Sequence, residues 1–124
     1  MINRRTLIVF GAMTPLGNLA FAQQKKGPNG GLVGGSAGHE VELVVSGTDI
    51  SVYMLDHGKI SPVTNVKLRL VVQQGGKTTN HDLAMAAPNR LAVQLPDPLA
   101  PGAIIVVSGR DDHGHTLSAR FTIN

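Results

Sequence analysis

The sequence predicts an all-β fold, an antiparallel β-sandwich of immunoglobulin-like type with seven or eight strands. Three observations point there. Apolar residues recur with period two through most of the chain, no stretch holds a helical period, and turn sequences rich in Gly, Pro, Asn and Asp break the pattern at regular spacing. A closed barrel is the less favoured arrangement of the same strands.

In chain order, residues 1–22 read as an export signal peptide. Arg4 and Arg5 give a positive start, an apolar stretch runs to Ala22, and Ala20-Phe21-Ala22 is a small-x-small cleavage pattern. The paired arginines suit either the twin-arginine or the Sec route, so the expected destination is the bacterial periplasm. A membrane span needs about 20 predominantly apolar residues, and this stretch is interrupted by Thr14-Pro15, Gly17 and Asn18. Residues 23–30 are expected to be a flexible N-terminal segment. Residues 31–124 are expected to form a single β-sandwich domain that opens with a short edge strand at Leu32 and Val33.

"HEVELVV" places Val41, Leu43 and Val45 on one face and Glu40 and Glu42 on the other. A two-residue loop at Gly47-Thr48 sets Val41, Leu43 and Val45 opposite Met54, Val52 and Ile50; a slip by one residue would break that apolar match. "VKLRLVV" alternates Val66, Leu68, Leu70 and Val72 with Lys67 and Arg69. "NHDLAM" and "LAVQL" flank a three-residue loop, Ala87-Pro88-Asn89, which pairs Met85 with Leu91 and Leu83 with Val93. "AIIVVSG" and "TLSARFTI" flank a two-residue turn at His113-Gly114, which pairs Val106 with Phe121 and Ile104 with Ile123.

Composition removes whole classes of function. The chain has no cysteine, so disulfides, a thiol nucleophile and a blue-copper thiolate are excluded. The formal charge of +3 falls to +1 once Arg4 and Arg5 leave with the signal. Tyr53 and Phe121 are then the only aromatic residues, too few for the stacking platforms of a nucleic-acid binder. The mature protein is expected to be a monomer without a membrane span.

Chemistry concentrates at two places. The β-hairpin register sets His39 opposite Asp56 on the face of Met54, with His57 next along the chain. Opposed side chains have Cβ atoms about 4.5 to 5.5 Å apart, within reach of a hydrogen bond or of joint coordination of one ion. His39 and Asp56 can therefore be a structural pair closing the end of the core, or, with Met54 and His57, a metal site. Imidazole, carboxylate and thioether together suit copper better than magnesium or calcium. In "RDDHGHT" the expected register sets Asp112 opposite His115 with His113 in the turn, which is either a second, weaker ligand group or an ordinary solvated turn. His81 reads as a rim histidine without chemistry. "GGSAG" (34–38) matches the nucleophile-elbow pattern, but such an elbow joins a strand to a helix, whereas here a strand follows. No nucleophile-base set can be placed, so an enzyme is not expected.

The succession "GPNGG" (27–31), "GHEVELVV" (38–45) and "VYMLDHGKISPV" (52–63) resembles a group of small exported bacterial proteins found beside heavy-metal efflux systems. A similar module occurs in some periplasmic adaptor subunits of those pumps. His39, Glu42, Asp56, His57, Gly58, Lys59 and Pro62 occupy the shared positions. Asn29 stands where several of those proteins have histidine, and the methionine-rich tracts of dedicated copper carriers are missing. The resemblance implies a periplasmic sandwich tied to copper handling and heavy-metal resistance, with an efflux component as partner. The expected function is non-enzymatic metal binding or delivery with copper as the ion. The alternative is a metal-free module that docks on an efflux or cell-surface assembly through a sheet edge.

Overall fold

A computed structural model describes residues 25–36, 39–111 and 113–124; the export signal read over 1–22 lies outside the described residues. Two antiparallel sheets enclose one apolar core, a β-sandwich as expected. The first sheet holds β1 (Lys25–Lys26), β2 (Leu32–Ser36), β3 (His39–Ser46), β4 (Asp49–Asp56), β5 (Lys59–Ser61), β8 (Ala84–Ala87) and β9 (Arg90–Gln94). The second holds β6 (Lys67–Gln74), β7 (Lys77–Asp82), β10 (Ile104–Arg110) and β11 (Thr116–Thr122). The first runs β1-β2-β3-β4-β9-β8, with β5 also on β4, and the second runs β11-β10-β6-β7. Among the described residues no helix is long and apolar enough to cross a membrane.

The β3–β4 hairpin has the expected register, with Val41 opposite Met54, Leu43 opposite Val52 and Val45 opposite Ile50. Val41, Leu43, Ile50, Val52 and Met54 are buried, while Val45, next to the turn, is 38% exposed. From the other sheet Leu68, Leu70 and Val72 meet them, as the alternation of β6 requires.

The described residues form eleven strands rather than the expected seven or eight, for three reasons. Lys25 and Lys26 pair with Val33 and Leu32, and Lys59–Ser61 folds back on β4. The segment "NHDLAM" is not one strand: it changes sheets at Leu83, so that His81 and Asp82 end β7 and Ala84 begins β8. The Leu83 N–H bonds to the Leu68 carbonyl in the second sheet, so the expected Leu83–Val93 pair does not form. Met85 does pair with Leu91, but a bulge between Met85 and Ala87 takes up one residue. The loop therefore shortens to Pro88-Asn89, with Ala87 opposite Arg90.

The β10–β11 register also differs from expectation, and this matters more. Phe121 faces Ile105 rather than Val106, and Ile104 faces Thr122 rather than Ile123. The buried residues of both strands fall on odd numbers, Ile105 and Val107 against Leu117, Ala119 and Phe121. Direct opposition on one face therefore shifts the register by one, so that Arg110 pairs with Thr116 and Asp111 comes opposite His115. Gly114, at φ 79°, supplies the left-handed residue just before His115.

Glu42 was expected to point to solvent with Glu40. It does lie on the face away from the core, yet it is fully buried. Residues 27–31 cover it: the backbone N–H groups of Asn29 and Gly31 donate to its Oε2 at 2.9 and 2.7 Å, and Asn29 Nδ2 donates to Oε1 at 3.0 Å. The turn closes on itself through Gly30 N–H to the Gly27 carbonyl, 2.9 Å. Gly31 is needed for this approach, because a Cβ there would run into the Leu43 carbonyl oxygen. The Gly-rich start is thus a clamp on a carboxylate, and Lys25 adds an ion pair to Glu40 at 3.3 Å.

Candidate metal centre

The β10–β11 hairpin builds the site. The Asp111 N–H donates to the His115 carbonyl at 3.0 Å, and the Gly114 N–H to the Asp111 carbonyl at 3.1 Å, so Asp111 and His115 face each other across the loop. The Asp111 side chain turns back over this loop. Its Oδ1 accepts the backbone N–H groups of His113 at 3.0 Å and His115 at 2.7 Å, the local side-chain-to-backbone pattern that aspartate favours in turns. Oδ2 remains, 3.3 Å from His115 Nδ1 and 3.7 Å from His39 Nδ1.

His39 comes from the other sheet, as the first residue of β3. The three side chains join the two layers at one end of the sandwich, with Asp111 buried and both histidines exposed. One ligand atom from each lies within 4.8 Å of the other two. A tetrahedral ion with bonds of about 2.0 to 2.2 Å would place its ligand atoms about 3.4 Å apart, so small side-chain rotations suffice to close this set on one ion. The His39 and His115 rings meet edge to face at 5.2 Å, and the His113 ring lies 6.1 Å from that of His115.

Burial raises the pKa of the Asp111 carboxyl, but the N–H groups of His115 and His113 and the His115 imidazole outweigh it and hold the carboxyl below its ordinary 3.8. A carboxyl with a lowered folded-state pKa stabilises the fold above the unfolded pKa, and that contribution disappears as pH falls through the folded value. Between about pH 5 and pH 2, wild-type melting temperature should therefore fall more steeply than that of Asp111→Asn. Parallel curves would show that the carboxylate contributes nothing.

The expected ligands are divided by the fold. The ladder between β3 and β4 stops at Glu40 and Leu55, and the His39 imidazole finds Asp111 rather than Asp56. Asp56 Oδ1 instead bonds His57 Nδ1 at 2.7 Å. His57 sits at φ 53° in the turn to β5, its side chain 84% exposed. Met54 and Asp56 nevertheless share a pocket wall with His39, Asp111 and His113. Asp112, expected opposite His115, lies outside the described residues; Asp111 takes that place. His81, read from the sequence as a rim histidine, has its Nε2 2.9 Å from Thr79 Oγ1.

Asp111 is the residue that sequence reasoning missed. The odd-numbered core positions on both strands were the signal for it. Compared with protein-family models, curated proteins and solved structures, the chain matches none.

Proposed function

We propose that this is a non-enzymatic, periplasmic metal-binding or metal-delivery protein that holds one divalent transition-metal ion, copper(II) foremost, between His39, Asp111 and His115. One observation carries the reading: two imidazoles from different sheets converge on an acid whose other oxygen is tied down by two backbone N–H groups. Two nitrogens and one oxygen suit copper and zinc better than magnesium or calcium, and at a given site of this kind copper(II) binds most tightly of the first-row divalent ions. The export signal and the resemblance to efflux-associated proteins are consistent with delivery to a metal-efflux partner.

Calorimetric titration of the purified protein with copper(II) and zinc(II) tests this. One equivalent should bind, raise the melting temperature and release protons, with affinity falling on acidification because both imidazoles must be neutral to coordinate. Absence of saturable binding at neutral pH would remove the reading. It would leave the metal-free docking module, which has one observation of its own: β8 is a sheet edge whose Met85 is 58% exposed.

A further inference from the structure

We infer that an ion held at this site keeps one coordination position open toward the adjoining pocket, and that it leaves by ligand exchange through that opening. The incoming ligand would be a small nitrogen or sulfur donor or a partner's side chain. This rests on the metal-binding reading above and adds how the metal moves.

Zinc sites closed by protein almost always supply four ligands, whereas three protein ligands and an opening mark a site where an outside group binds; the same count is applied here to copper. Among the described residues, His39, Asp111 and His115 supply three. Asp111 offers one oxygen only, because Oδ1 is held by the N–H groups of His113 and His115. Beside the cluster lies a pocket of about 340 Å³ whose wall includes His39, Asp111, His113, Met54, Asp56 and Ser61. A water occupies about 30 Å³ in the liquid, so an imidazole-sized group enters this volume easily. Met54 places a thioether in the wall along which that group arrives. In the exchange step one bond forms from the incoming donor to the metal and one from a protein imidazole breaks, with the oxidation state unchanged.

The protein loaded with one equivalent of copper(II) is examined in two ways. Azide should give a new charge-transfer band. Mixing with excess of a chromogenic pyridylazo chelator should remove copper at a rate that rises linearly with chelator concentration. Ser61→Trp puts an indole into the pocket from a residue that is not one of the three ligands; it should keep one equivalent of copper, lose the azide band and flatten the dependence on chelator. Asp56→Trp, at an exposed position, does the same if Ser61→Trp fails to fold. A rate independent of chelator in the wild type overturns the inference, as does an azide band that appears only in His113→Ala, which would make His113 the fourth ligand. In either case copper still binds, so the proposed function survives. Failure to load copper removes both.

Discussion

Glu42→Ala should cost about 2 to 4 kcal/mol of stability, the largest loss expected from any single side chain outside the apolar core. Three donors lose their acceptor at once. Asn29 is exposed and its groups can turn to water, but Gly31 is buried and its N–H is left without its acceptor in the protein. Glu42→Gln separates shape from charge. Its amide oxygen can take the place of Oε2 and keep both backbone bonds, while the Asn29 amide can flip to accept from the new NH₂. It should lose only about 1 kcal/mol, the difference between charged and neutral hydrogen bonds. Urea titration of the three proteins measures this. In a domain of this size, 1 kcal/mol moves the melting temperature by about 4 to 8 °C, so the order wild type, Gln, Ala should be plain in thermal melts as well. Equal stability of Glu42→Ala and wild type would show that the 25–31 turn rests on the sheet without holding it.

Glu42 also shows where sequence reading reaches its limit. Period-two alternation identified its strand, its neighbours and its face correctly, because that pattern depends only on backbone pleat. Whether the outer face meets water depends on what lies over it. That cover comes from Gly27–Gly31, a segment with no apolar residue to signal packing. Hairpin registers were legible wherever buried residues faced each other in pairs, as Val41 and Met54 do. The β10–β11 hairpin carried the same information. There turn composition points to His113-Gly114 as the turn and Asp112 as the acid, while the odd-numbered core positions point to Asp111 opposite His115. The crossing at Leu83 could not be read from pattern at all, since leucine is buried equally well between either pair of strands. At the site, sequence spacing found His39 and His115 separately. Their meeting follows from how the two sheets stack, which no local pattern encodes.

His115→Ala and Asp111→Asn should each weaken copper(II) binding by about a hundredfold or more, whereas His57→Ala should leave it unchanged. The contrast is sharp because the two regions differ in geometry rather than in residue type. His57 has a carboxylate at 2.7 Å, closer than either histidine of the cluster has, but that pair stands exposed on a turn and, among the described residues, no third His or carboxylate ligand groups with it. Asp111→Asn is the informative variant. Its amide oxygen still accepts the N–H groups of His113 and His115, so the loop keeps its shape. The NH₂ then occupies the position of Oδ2 and presents a donor where the ion needs an acceptor. Copper affinity should collapse while the melting temperature of the metal-free protein at neutral pH changes far less. Should Asp111→Asn bind normally and His57→Ala fail, the ligands would lie at the Asp56–His57 turn, and the convergence of His39 with His115 would be a matter of packing alone.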